Sequence, residues 1–191
     1  MNKAFRLLLR ELLYQGFFKL YTLKLQHTLF GGGWSEVLTR ELCHRGDSVA
    51  ILPYDRERDA VVMVEQFRVG PLWHEEDPKW MVEIPAGMIE AGESEEEVAR
   101  RELFEETGCE ARVLRRLFRF YTSPGGSSER ITLFYAEVDS SEAKGIRGSA
   151  SEGEDILVHV LSREEAIAKL DQGEIDSAIP IIALQWLARH L

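Results

Sequence analysis

Only two cysteines occur in the chain, Cys43 and Cys109, and neither stands in a C-x-x-C pair. That absence excludes a disulfide framework and a cysteine zinc site, and it suits a reducing cytoplasm. Basic residues are in deficit: 23 Lys and Arg stand against 33 Asp and Glu, a net charge of -10. A general nucleic-acid binder needs the opposite balance, so no nucleic-acid partner is expected. No apolar run is long enough to span a bilayer, so no membrane partner is expected either. Near the N-terminus Lys3 and Arg6 precede Leu7-Leu8-Leu9, but Arg10-Glu11 interrupts the run and no small-residue cleavage pattern follows. The segment is therefore expected to be mature structure in a cytoplasmic protein. Repeats and low-complexity linkers are also missing.

What remains is a chain of 191 residues with the composition of an ordinary globular protein, enough for one domain with a core and a small added element. Alternating apolar residues predict strands within 10–27 and 34–43, with Gly31-Gly32-Gly33 as a turn between them. Ser48–Pro53 and Ala60–Val69 predict a hairpin around the charged loop Asp55–Asp59. Residues 70–80 read as a loop and Met81–Pro85 as a short extended piece. Ser94 and Glu97 form a capping box that starts a helix at Glu95, and Gly108 stands where its C-terminal cap belongs. Further strands fit 112–121, 131–138 and 155–161, and 140–153 reads as a loop. A second capping box, Ser162 to Glu165, opens a helix to Gly173, and 177–190 predicts a last helix. This order is no clean βαβ alternation. It points to an α+β chain with a mixed sheet in α/β/α packing rather than a doubly wound nucleotide fold. Residues 1–45 read as an N-terminal antiparallel β element and 46–191 as the main domain.

The chemistry lies between Gly87 and Cys109. Glu102, Glu105 and Glu106 are three and four residues apart on the predicted helix, so they share a face. Like charges so placed are unfavourable unless a cation compensates them. Hard divalent cations such as Mg2+ take oxygen ligands and are shared with substrate phosphates. Arg101 can hold one carboxylate by a forked ion pair, Gly87 allows close backbone approach, and the Ala86 carbonyl offers a neutral oxygen. The plainer reading is a solvated acidic helix face.

The stretch follows G-x5-E-x7-R-E-U-x-E-E-x-G-U, where U is apolar. Gly87, Glu93, Arg101, Glu102, Glu105, Glu106 and Gly108 fill every fixed position, and Leu103 and Cys109 take the apolar places. At roughly one in fifteen per position, chance supplies seven such identities about once in 10⁸ starting points. Glutamate enrichment raises that figure without rescuing the plainer reading. The pattern resembles the signature box of the Nudix hydrolases, which cleave a nucleoside diphosphate linked to another group. The resemblance implies the Nudix fold, with the box as loop–helix–loop. It implies a divalent cation, Mg2+ with Mn2+ as substitute, held by Glu102 and Glu106. Glu105 would ligate metal or assist water activation, with Arg101 orienting it. Cleavage would use metal-polarised phosphates and a metal-activated water.

Outside the box, Pro124 lies sixteen residues beyond Gly108 in Ser-Pro-Gly-Gly-Ser-Ser-Glu-Arg. That spacing is similar to a mark of the ADP-ribose pyrophosphatases; the plainer reading is a Pro-Gly turn between strands, and the full box ahead of it adds weight to the resemblance. Leu13–Phe18, Arg40–Leu42, Val64–Arg68, Ala86–Ile89, Gly153–Ile156 and Ile182–Leu187 also resemble the bacterial ADP-ribose pyrophosphatase family. In that family N-terminal strands exchange within a homodimer and the substrate site crosses the interface. By this resemblance Phe17 packs on adenine, unless it is a core residue, and Arg40 and Arg68 grip the substrate, unless they form surface ion pairs. Glu41 and Arg45 flank that region. Met88, Ser123, Pro124 and Gly125 line the pocket, although a methionine is more often core. Glu129 meets the distal ribose. Glu152 is the general base and Glu154 an added metal ligand, with Gly153 between them leaving the two roles interchangeable. The expected reaction is hydrolysis of ADP-ribose to AMP and ribose 5-phosphate. The alternatives are another nucleoside diphosphate sugar, such as GDP-mannose, and a Nudix-fold ADP-ribose sensor without catalysis.

Overall fold

The computed structural model describes residues 2–151 and 153–191. Two compact units emerge: residues up to Asp47 with Phe120–Arg130, and Ser48–Arg119 with Ile131–Leu191. Among the described residues no helix is long and apolar enough to cross a membrane.

The first unit is built on an antiparallel sheet of β1 (Phe5–Gln15), β2 (Lys19–His27) and β3 (Leu38–His44), in that order. Strand β1 begins at Phe5, so the Leu7–Leu9 run is itself strand. Strand β3 begins only at Leu38, because residues 29–35 are spent on a turn. There Leu29 N–H donates to Gly33 O, and Gly32 and Gly33 take the left-handed conformations that favour glycine. Segment 120–130 is tied to β3 on both sides of one residue: Cys43 N–H donates to Gly126 O, and Ser128 N–H donates to Cys43 O. All of β1 is solvent-exposed, including Phe5, Leu8, Leu13 and Tyr14.

The second unit carries a mixed sheet ordered β10–β11–β5–β4–β9–β8. Its strands are β4 (Ser48–Asp55), β5 (Ala60–Phe67), β8 (Val113–Tyr121), β9 (Arg130–Glu137), β10 (Ile146–Arg147) and β11 (Ile156–Ser162). Strand β4 is buried throughout, as an apolar central strand should be, and it runs parallel to β9. On one face, Val49, Ile51, Val62 and Phe134 pack with Val98, Ala99 and Leu103 of helix α1 (Glu95–Thr107). On the other face lie α2 (Arg163–Asp171) and α3 (Ala178–His190), where Tyr135 meets the Trp186 ring at 5.9 Å. The predicted α/β/α arrangement is therefore present. Within the expected loop 140–153, β10 forms because Ile146 and Arg147 pair with Leu157 and Ile156.

The predicted hairpin of β4 and β5 is real but splayed. The two strands pair only at Tyr54–Val61 and Asp55–Ala60. Beyond that point they separate, and two short strands fill the gap: β6 (Trp80–Glu83) lies along β5, and β7 (Ala86–Met88) lies along β4. Proline inside a central strand normally sacrifices a ladder bond. Pro53 does not, because alternate N–H groups of a strand point to the same side. Ile51 N–H donates across the gap to Pro85 O at 2.8 Å, so the Pro53 nitrogen faces the stretch where β5 has already left. Asp55 closes the hairpin. Its buried carboxylate accepts bonds from the Glu57 and Arg58 N–H groups, the Arg58 guanidinium, and both the N–H and hydroxyl of Ser140.

Candidate active site

The wedge between β4 and β5 delivers Ala86 and Gly87 to the side of α1. That helix starts as its sequence predicts: Ser94 accepts from Glu97 N–H, and the Glu97 carboxylate accepts from Ser94 N–H. Glu95 then fixes the first turn to the sheet through Arg116, Arg119 and Thr132. Gly108 ends the helix in the left-handed conformation at φ 81°, its N–H donating to Phe104 O.

The helical row Val98–Glu102–Glu106, spaced four apart, lies at the buried edge of α1 and turns its last two members towards β7. The next row, Arg101–Glu105, faces outward. The acidic trio thus spans two rows rather than one face: the Glu102 side chain is 12% exposed and that of Glu105 is 48% exposed. Arg101 bridges the rows, donating to Glu102 Oε1 at 2.8 Å and Glu105 Oε2 at 3.2 Å, with Glu93 at 3.4 Å.

Gly87 is a strand residue, not a tight turn, and its backbone needs no positive φ. Its lack of a side chain matters for another reason. A Cβ there would stand 1.8 Å from Glu102 Oε1 and 2.0 Å from its carboxyl carbon. Glycine at 87 is the space that the Glu102 carboxylate occupies.

Glu106 is 1% exposed and accepts a bond from Ala86 N–H at 3.2 Å. Burial raises its pKa well above the usual carboxylate value, and the charges of Glu102 and Glu154 add to the effect. Glu102 is raised as well, by burial first and then by Glu105 and Glu154, against the pull of Arg101. Glu154 arrives from the distant acidic loop, where its carboxylate accepts from Ser149 N–H at 3.0 Å. Gly148 gives it room, since a Cβ there would stand 2.7 Å from that of Glu154. Glu152, the expected general base, lies outside the described residues. Among the described residues no three potential ligands form a closed metal-binding group. A buried carboxylate beside a second one still offers the oxygen donors that a hard divalent cation takes. Glu102 and Glu106 offer such oxygens beside Ala86, and Glu154 is near enough to add its charge to both.

Arg68 follows β5, and its Nε donates to Glu83 Oε2 at 2.7 Å. Met88 pairs with Ser48 on β4 and is half-buried, neither sealed in the core nor fully open. The remaining expected contacts belong to the first unit. There Phe17 is 70% exposed and packs edge-on against Phe18. The Arg45 guanidinium lies 5.9 Å from both rings and 3.4 Å from Glu129. Glu129 is nearly buried and accepts from Thr122. Arg40 and Glu41 are neighbours on β3 and so point to opposite faces of its sheet. Arg40 is exposed and donates to Thr39 O. Ser123 O accepts from Gly126 and Ser127 N–H, which makes Ser123–Pro124–Gly125 a closed, exposed turn. Sequence reasoning missed Glu83. Its only signal is an acid between apolar residues in Met-Val-Glu-Ile, a position where burial demands a partner.

The fold and this box together define a class, and the chain belongs to the Nudix family: the NUDIX domain model matches residues 44–183. The ADP-ribose pyrophosphatase of Escherichia coli strain K12 is 48% identical over 181 residues, covering 95% of this chain and 86% of its own length. That of Haemophilus influenzae is 48% identical over 179 residues, 93% and 82% of the two chains. The GDP-mannose pyrophosphatase of Cronobacter sakazakii is 39% identical over 149 residues, 78% and 76%. A crystal structure of an ADP compounds hydrolase superposes with a TM-score of 0.73 over 97% of this chain and 92% of its own, at 21% identity, a likeness of fold.

Proposed function

We propose that the chain is an Mg2+-dependent ADP-ribose pyrophosphatase, hydrolysing ADP-ribose to AMP and ribose 5-phosphate. The observation that carries this reading is the placing of Glu106, buried, and Glu102, nearly so, against Ala86 and Gly87, with the charge of Glu154, from a loop more than forty residues on, acting on both. Near-full-length similarity to ADP-ribose pyrophosphatases supports the choice of substrate. When bound, the cation would neutralise diphosphate charge and lower the pKa of water at the site. Glu102, Glu106, Glu154 and the Ala86 carbonyl would hold it. Arg101 would keep Glu105 and Glu102 in place, and Glu152 would take the proton of the attacking water. Arg68 would bind diphosphate oxygen, with Met88 lining the pocket.

Phe17, Arg40, Glu41, Arg45, the Ser123–Gly125 turn and Glu129 would recognise adenine and ribose. Phe17 offers an exposed ring for stacking, flanked by a guanidinium. In this reading the N-terminal element exchanges between the subunits of a homodimer. A fully exposed strand bearing Phe5, Leu8, Leu12, Leu13 and Tyr14 supports it, since a lone chain rarely leaves such a surface bare. Free Cys43 and Cys109 suit a cytoplasmic setting.

Similarity to a GDP-mannose pyrophosphatase favours a second reading, hydrolysis of another nucleoside diphosphate sugar. Incubating the purified protein with Mg2+ and ADP-ribose, GDP-mannose or ADP-glucose in competition decides between them. AMP release dominated by ADP-ribose is expected. Good turnover of a competitor with no AMP from ADP-ribose refutes the assignment, and binding without cleavage of any substrate would mark a sensor.

A further inference from the structure

We propose that Glu83 is a positioning residue, which clamps Arg68 so that the free edge of its guanidinium faces the diphosphate of the substrate. The proposal rests on the diphosphate-hydrolase reading above, though not on the identity of the sugar or base. Glu83 is the last residue of β6, paired opposite Val64, whereas Arg68 lies one residue beyond the end of β5. Val64, Gln66 and Arg68 alternate onto one face of the sheet, the face that Val62 shares with α1. To meet Glu83, the Arg68 side chain must fold back along this face past the Gln66–Met81 pair, although it stays 44% exposed. Its charge is felt there by Glu106.

The atom used is informative. Glu83 takes Nε at 2.7 Å, and no other side-chain bond of Arg68 is formed among the described residues. A guanidinium held by Nε keeps its two terminal nitrogens for a second, forked acceptor, the arrangement that suits adjacent phosphate oxygens. Glu83 is buried, so its orientation is fixed by packing, and Arg68 is its one partner among the described residues. Without Glu83 the arginine would extend from the strand end into water.

A double-mutant cycle tests this on whichever nucleoside diphosphate sugar the protein turns over best, so a wrong assignment of ADP-ribose does not disturb it. Glu83→Ala and Arg68→Ala should each raise KM about tenfold or more. Glu83→Gln, which still accepts from Nε, should recover most of the loss. The double variant should match Arg68→Ala within about twofold, because Glu83 acts only through Arg68. Thermal melts of all four proteins separate folding from positioning. Independent, multiplicative effects of the two substitutions would overturn the proposal. So would a Glu83→Ala phenotype confined to a higher Mg2+ requirement at unchanged KM, which would make Glu83 a metal ligand.

Discussion

Replacing Gly87 with alanine separates the active site from the fold. The new Cβ would lie 1.8 Å from Glu102 Oε1, 2.0 Å from its carboxyl carbon and 2.5 Å from its Cγ. Restoring ordinary contact requires the carboxylate to move by about 1.5–2 Å. Nothing obliges the backbone to move: Gly87 has no positive φ, and the obstacle is the outer end of the Glu102 side chain. Within a strand, alanine is favoured over glycine by roughly 0.5–1 kcal/mol. Against this stands the loss of the Arg101–Glu102 ion pair, partly exposed on the arginine side and worth about 0–1 kcal/mol. The two effects nearly cancel, and the melting temperature should stay within about 3 °C of the wild type.

Catalysis should not survive so well. Displacing a reacting or ligating group by about 1 Å costs on the order of a hundredfold in rate. Gly87→Ala is therefore expected to lower kcat by about 10² and to raise the Mg2+ concentration needed for half-maximal rate. Initial rates across an Mg2+ titration, with thermal melts on the same samples, provide the assay. A variant that melts normally and keeps its rate within threefold of wild type would refute the placing of Glu102 at the metal. Collapse of the melting temperature would instead refute the claim that the glycine serves the carboxylate and not the strand.

Glu106→Gln should abolish turnover yet stabilise the metal-free protein. Because the folded-state pKa of Glu106 is raised, the native state binds the extra proton. Stability without metal should therefore fall as pH rises from about 4.5 through that raised value; melts in EDTA at stepped pH should show this slope for wild type and not for the variant, with Mg2+ restoring stability at high pH. Asp55→Asn should cost about 2–4 kcal/mol, since the amide offers donors where Ser140 and Arg58 already donate. Burial pushes the Asp55 carboxyl up, but the bonds from Ser140 and Arg58 outweigh it and hold it far below the usual range. Its contribution is thus complete above about pH 4 and lost as pH falls through the folded value, so urea melts of wild type and variant should converge in acid. Phe17→Ala, an exposed site, should raise KM for ADP-ribose severalfold to about a hundredfold through lost stacking with little change in melting temperature; an unchanged KM would remove Phe17 from the base site.

Local signals carried far where structure is local. Both capping boxes start helices at the predicted residues, Glu95 and Arg163, because a cap is chemistry within four residues. The hairpin turn at Asp55–Asp59 was legible for the same reason. Its splaying was not, because the gap is defined by what enters it, and β6 and β7 are too short to announce a partner by their own alternation. Nor could the chain order show segment 120–130 joined to β3, where the bonds on either side of Cys43 link residues more than eighty apart. Only Pro53 hinted at the opening, as a proline in a strand otherwise fit for the middle of a sheet.

The site divides along the same line. Helical spacing brings Glu102 within one turn of Glu106, and it also brings Glu105. It does not reveal that the first two share the inner row while Glu105 is held outside by Arg101. That division depends on which edge of α1 meets β7. Gly87 was visible as an invitation to close approach, but the approaching group is the protein's own carboxylate. Glu83 was invisible because its meaning is relational: a buried acid needs a cation, and Arg68 supplies it from the far end of the neighbouring strand. The carboxylates are the part of the site held against their own preference. Burial and mutual repulsion push Glu102 and Glu106 towards protonation. A fold that keeps two such groups together, clears a side chain from Gly87 to admit one and spends the Ala86 N–H on the other would be stabilised by the proposed cation. On the proposed function, metal affinity and the repulsion between these carboxylates would be one property, and a substitution that relieves the repulsion should stabilise the metal-free protein as it weakens the binding.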